Sequence, residues 1–116
     1  TIAAARAYDL LVFDGVYNDI ANAEGFAAEA KQARAFGFDG KTLIHPSQVD
    51  PCNTIFAPAA DAVAQARDVI AAFADPANGG KGVLKVNGKM TELLHLAQAR
   101  RTVAVAEAIT QREAAQ

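Results

Sequence analysis

The sequence predicts an α/β fold: a parallel strand–helix–strand unit followed by a helical extension. Three observations carry this. Two short strand-like runs, Leu10–Phe13 and Thr42–Ile44, flank one amphipathic stretch. Continuous apolar runs suit strands buried on both faces, as in a parallel sheet. The connections are a few residues long, so the three elements form a right-handed crossover unit of a barrel or doubly wound sheet. After Pro58 the alternation stops, and a helix–hairpin–helix pattern takes over.

Thr1 to Ala7 reads as the end of a helix that runs straight into the first strand. Two strands are too few for a stable parallel sheet. The chain is therefore expected to be a segment of a larger enzyme, inactive alone, whose other strands lie upstream or in another chain. A polar loop, Val16 to Asn22, precedes a helix over about Ala23–Phe36, where Phe26, Ala30, Ala33 and Phe36 recur at helical spacing. Gly37 stops it, because glycine tolerates the left-handed conformation past a helix end. Phe38-Asp39-Gly40 reads as a turn before the second strand.

Pro46 stands where a helix would begin, and Ser47–Phe56 reads as a short helix with Pro51 in its first turn or splitting it. A longer helix, about Ala59–Ala74, presents Ala62, Val63, Ala66, Val69, Ile70 and Phe73 on one face. Asp75 to Gly80 is a loop by composition. Asn87-Gly88 between Val83–Val86 and Lys89-Met90 is a strong hairpin signal. A last helix starts at Thr91 or Glu92, with Leu96, Ala99, Val103, Ala106 and Ile109 on one face; the polar end, 110–116, is expected to fray.

Composition narrows the function classes. At 52% hydrophobic and 21% charged residues, the chain is not disordered throughout. A net charge of -2 gives no electrostatic case for nucleic acid or an anionic membrane. No apolar run approaches the roughly 18–20 residues that span a bilayer. The single cysteine, Cys52, excludes an internal disulfide and fits a reducing, cytoplasmic setting. It lacks a basic neighbour in sequence, so a catalytic role is not expected.

Parallel α/β folds bind ligands at the C-terminal ends of their strands. Two such ends are readable, Asp14-Gly15-Val16 and Ile44-His45-Pro46. Asp14 reads either as a group that orients substrate or helps hold a metal, or as a cap for its own loop. His45 reads as an acid, base or ligand, or, more simply, as a hydrogen-bonding residue before a proline that fixes the turn. Glu92 opens the last helix, where an acid suits the helix dipole. With His95 it forms a single Glu-x-x-His pattern, weak as a metal signature.

Four stretches in order resemble a known family: Asp14-Gly15-Val16-Tyr17-Asn18-Asp19-Ile20, Ala35-Phe36-Gly37-Phe38-Asp39-Gly40-Lys41, Ile44-His45-Pro46-Ser47-Gln48-Val49 and Asn87-Gly88-Lys89-Met90. They look like the C-terminal part of the citrate lyase β-subunit-like proteins of the HpcH/HpaI aldolase superfamily, relatives of malyl-CoA lyases. The resemblance implies a (β/α)8 TIM barrel whose last two strands lie here. It makes 1–57 the end of the catalytic barrel and 58–116 a C-terminal extension that covers a neighbouring subunit's site.

It further implies a Mg2+-dependent carbon–carbon lyase that cleaves a 3-hydroxyacyl-CoA, of the citryl-CoA or malyl-CoA type, into an acyl-CoA and an oxo acid. Asp14, Gly15, Val16, Ile44, His45 and Pro46 match positions lining the substrate and CoA side. Glu92 falls where the family's extension carries a catalytic acid, commonly Asp, and Leu94 replaces a proline. The family's metal-binding Glu and Asp and its substrate-binding Arg belong to earlier strands, so no metal ligand is expected in this chain. A homo-oligomer, trimer or hexamer, is implied. The alternative is a non-catalytic module that works by association.

Overall fold

The strand–helix–strand unit forms, with its ladder displaced from the apolar runs. A computed structural model of the chain describes residues 1–115. Helix α1 (Ile2–Ala7) leads to strand β1 (Phe13–Asp14), helix α2 (Ala23–Phe36) and strand β2 (Gly40–Lys41). β1 and β2 are parallel, with Phe13 opposite Gly40 and Asp14 opposite Lys41. The expected strands, Leu10–Phe13 and Thr42–Ile44, are thus corrected to shorter, shifted ones.

Backbone partners explain the shift. The Val12 carbonyl accepts the Asp39 N–H at 2.8 Å, and the Asp14 carbonyl accepts the Thr42 N–H at 2.9 Å. Beyond that, the Gln48 side chain takes the Ile44 N–H at 3.2 Å and ends the extended run. Burial on both faces is also corrected: Leu10, Leu11 and Phe13 are 58%, 66% and 59% exposed.

Asn22 caps α2 by accepting the Gly25 N–H at 2.9 Å. Gly37, at φ 102°, ends it in the left-handed conformation. Phe26, Ala30 and Ala33 are buried at the expected spacing, whereas Phe36 is exposed. A Cβ on Gly25 would collide with the Tyr17 hydroxyl, so glycine there lets Tyr17 lie over the first turn. Tyr17 meets Phe26 edge-on, with ring centroids 6.1 Å apart. A 3₁₀ turn (Pro46–Gln48) precedes α3 (Val49–Phe56), and Pro51 falls in the first turn of α3 without splitting it.

The segment expected as a plain turn before β2 is clamped. Arg6 grips both carboxylate oxygens of Asp39, at 2.9 and 2.8 Å, and also donates to the Gly37 carbonyl at 2.8 Å. Asp39 in turn accepts the Val12 N–H at 2.9 Å. These bonds to Asp39 hold the Arg6 guanidinium still more firmly protonated.

Residues Thr1–Ala57 form one compact unit, and a second begins at Pro58. The second contains α4 (Ala60–Ala74), strands β3 (Val83–Val86) and β4 (Lys89–Glu92), and α5 (Leu93–Ala114). β3 and β4 are antiparallel, with Val86 opposite Lys89. Asn87 at φ 49° and Gly88 at φ 81° give the two positive angles of a type I′ hairpin turn. The Asn87 amide donates to Gln65 at 2.6 Å and to Asp68 at 2.9 Å, pinning the hairpin tip to α4.

Alternation along β3 sends Leu84 and Val86 to one face. There they join Ala66 and Val69 of α4 and Leu96, Ala99 and Val103 of α5 in one apolar core. The end expected to fray is helical to Ala114, and Gln116 lies outside the described residues. Among the described residues, no helix is long and apolar enough to cross a membrane.

Two outcomes follow from this packing. Leu96 is buried and Leu94 is 63% exposed. Leu96→Ala is expected to cost about 2–5 kcal/mol in urea unfolding. Leu94→Ala is expected to stay within about 0.5 kcal/mol. Equal losses would contradict the core assignment. Cys52 is buried against Phe26 and Ala30. Burial pushes its thiol pKa up, and the Lys41 backbone and charge only partly offset this. A thiol reagent at pH 8 should label it at least about tenfold more slowly in the native protein than in denaturant, because the thiolate is the reactive form.

Candidate functional site

The pairing of β1 with β2 sets two polar chain segments side by side. Asp14-Gly15-Val16 leave β1, and Ile44-His45-Pro46 follow β2. Both sit at C-terminal strand ends, where parallel α/β folds place their chemistry.

Lys41 lies beneath the first segment. Its Nζ donates to Asp14 Oδ2 at 2.9 Å and to the Gly15 carbonyl at 2.8 Å. It also stands 3.3 Å from Glu29 Oε2 on α2. The Lys41 side chain has 0% exposure, while those of Asp14 and Glu29 retain 23% and 37%. Glu29 Oε2 itself is buried and makes no hydrogen bond. Its approach to Lys41 is therefore an ion pair by distance alone. A buried ammonium is tolerated only where it is paired and hydrogen-bonded, and here two carboxylates and a carbonyl do this. Asp14 thus anchors its own loop, through a buried lysine.

Gln48 joins the two segments. It is buried. Its carbonyl accepts the Ile44 N–H and its amide donates to the Tyr17 carbonyl, both at 3.2 Å. Sequence reasoning assigned no role to Gln48 or to Lys41. Their one readable signal is position, a long polar side chain at or just past a strand end inside an otherwise apolar unit.

His45 takes the simpler of its expected roles. Its Nδ1 accepts the Ser47 N–H at 3.1 Å and lies 2.8 Å from the Ser47 hydroxyl, capping the 3₁₀ turn that Pro46 opens. Val16 and Ile44 present apolar surface, 39% and 46% exposed. Cys52 belongs to the core.

Glu92 lies in the second unit, apart from the strand-end residues. It is the N-cap of α5 in a capping box with His95 at the third position. His95 Nδ1 accepts the Glu92 N–H at 2.9 Å. That commits the Nδ1 of His95 to the cap. Met90, Leu93 and Leu94, next to Glu92 in sequence, are exposed. Among the described residues, no three His, Cys, Asp or Glu side chains cluster closely enough to hold a metal ion. The donors present do not fit a metal centre.

Known proteins place this arrangement. A family model described as C-C_Bond_Lyase of the TIM-barrel fold matches residues 2–110. A (3S)-malyl-CoA thioesterase of Cereibacter sphaeroides is 48% identical over 108 residues, covering 93% of this chain and 38% of that protein. The L-malyl-CoA/beta-methylmalyl-CoA lyase of the same species is 36% identical, covering 94% and 34%. Citrate lyase subunit beta of Escherichia coli is 40% identical, covering 91% and 35%.

Among solved structures, CitE of Mycobacterium tuberculosis, in complex with magnesium, acetoacetate and coenzyme A, is similar at a TM-score of 0.70 and 33% identity. The match covers 90% of this chain and 38% of that one. A citrate lyase of Burkholderia xenovorans shares the fold at a TM-score of 0.74 and 21% identity, covering 94% and 33%. The chain thus spans 38% or less of the length of each of these relatives. The match over residues 2–110, on a unit whose polar residues gather at parallel strand ends, shows that this chain belongs to the carbon–carbon bond lyase family of the TIM-barrel fold.

Proposed function

We propose that this chain is the C-terminal part of a lyase that cleaves or forms 3-hydroxyacyl-CoA esters of the citryl-CoA or malyl-CoA type. β1 and β2 are the last two strands of the barrel. The observation that carries the reading is the pair of strand-end segments, Asp14-Gly15-Val16 and Ile44-His45-Pro46, held in register by Lys41 and Gln48. The exposed Leu10, Leu11 and Phe13 support it, since a barrel strand has neighbours on its other side.

Cleavage breaks the bond between the α- and β-carbons. The hydroxyl proton leaves as the oxo acid forms, and the acyl-CoA enolate takes up a proton at its α-carbon. The strand-end segments bind and orient the acyl-CoA ester. Glu92 moves the proton at the α-carbon, as a base in condensation and as its conjugate acid in cleavage. Its apolar rim of Met90, Leu93 and Leu94 suits a lid that excludes water. That lid serves the site of a neighbouring subunit in a homo-oligomer, trimer or hexamer, in the cytoplasm. Dependence on Mg2+ rests with residues outside this chain.

A second reading is thioester hydrolysis, favoured by the 48% identity to a protein named (3S)-malyl-CoA thioesterase. Product analysis separates the two. The full-length protein containing this chain, given malyl-CoA or citryl-CoA and Mg2+, should release an acyl-CoA and an oxo acid. Free CoA without oxo acid would replace the lyase reading with the hydrolase. Glu92→Gln keeps a capping side chain and should lower kcat by about 100-fold or more, with the melting temperature held. Unchanged kcat would leave Glu92 a helix cap only.

A further inference from the structure

We propose that Lys41 is a positioning residue: its buried ammonium sets the Gly15–Val16 peptide so that the Val16 N–H faces outward, ready to donate to an oxygen of the ligand. A side chain with 0% exposure cannot itself reach a ligand. It acts through what it holds, the Asp14 carboxylate at 2.9 Å and the Gly15 carbonyl at 2.8 Å.

The Gly15 Cα is free of side-chain packing. A Cβ built on Gly15 would find no atom within 4 Å. The Lys41 bond to the Gly15 carbonyl restrains its orientation. Among the described residues no peptide bond is cis. In a trans peptide, the carbonyl and the following N–H point in opposite directions. Tying the Gly15 carbonyl down to Lys41 turns the Val16 N–H away from it, toward the exposed side of the loop. Among the described residues, the Val16 N–H has no hydrogen-bond partner. An exposed, oriented backbone donor at a strand end suits a negatively polarised oxygen, a thioester carbonyl or a carboxylate.

The choice of an acyl-CoA ligand rests on the function proposed above; the positioning by Lys41 does not. The experiment separates them by using two readouts on the full-length protein. Asp14→Asn is compared with the double variant Lys41→Met/Asp14→Asn, which differs only in the lysine and leaves no carboxylate at position 14 facing an empty place. The first readout is the backbone nitrogen-15 order parameter of the Gly15 and Val16 amides, which reports how firmly the peptide is held. The second is KM and kcat for malyl-CoA or citryl-CoA.

Loss of Lys41 should lower the order parameter at Gly15 and Val16 from about 0.85, that of rigid backbone, to below about 0.6. It should raise KM by about fivefold or more, and by more than it lowers kcat. Equal order parameters in the two variants would overturn the positioning role, whatever the activity. A lowered order parameter with an unchanged KM would overturn the part assigned to the Val16 N–H. Absence of acyl-CoA turnover in the unsubstituted protein would count against the proposed function, and the order-parameter comparison would still decide Lys41. Should the double variant not fold, Lys41→Arg against the unsubstituted protein makes the same comparison. Arginine keeps the charge but moves its donors off the Gly15 carbonyl.

Discussion

A lysine whose side chain has no exposed surface constrains everything around it. Its charge is tolerated there only because Asp14, the Gly15 carbonyl and Glu29 converge on it. That convergence fixes the strand register. Asp14 stands opposite Lys41. A slip of one residue would set Gly40 or Thr42 there, and would turn the lysine to the other face of the strand. The same contacts tie α2 to the strand ends through Glu29 and bend the loop after β1 through Gly15. Removing the lysine would leave two carboxylates facing each other across a partly buried gap.

The helices and the hairpin were legible because their signals are local. Phe26, Ala30 and Ala33 repeat at helical spacing, Gly37 takes the left-handed conformation at the end of α2, and Asn87-Gly88 forms the hairpin turn. The parallel strands were not placed correctly because a ladder depends on its partner. Asp39, clamped by Arg6, bonds the backbone at Val12 and so opens the ladder at Phe13. Gln48 captures the Ile44 N–H and closes it early. Neither event leaves a trace in the local hydrophobic pattern. Phe36 shows the same limit: it falls on the apolar face by spacing, yet it is exposed among the described residues.

The site divides along the same line. Strand ends followed by polar residues pointed to Asp14-Gly15-Val16 and Ile44-His45-Pro46, because position along the chain is enough to find them. Lys41 and Gln48, which hold those segments, were missed: burial of a lysine or glutamine is a tertiary fact. His45 and Glu92 show how a suggestive residue acquires a local task. His45 caps the turn at Ser47, and Glu92 caps α5 with His95. A capping role does not exclude chemistry at Glu92, since the carboxylate remains exposed among apolar neighbours. It does mean that the acid at that position has a structural reason to be there.

We propose that the strand-end loop held by Lys41 is the surface that receives the acyl-CoA ester. A crystal structure of the full-length protein bound to a non-cleavable CoA thioester tests it most directly. A thioester or carboxylate oxygen is expected within about 3 Å of the Val16 nitrogen, with the acyl part against Val16 and Ile44 and Lys41 beneath the loop without touching the ligand. A thioester seated away from both strand ends, or bonded directly to the Lys41 ammonium, would contradict it.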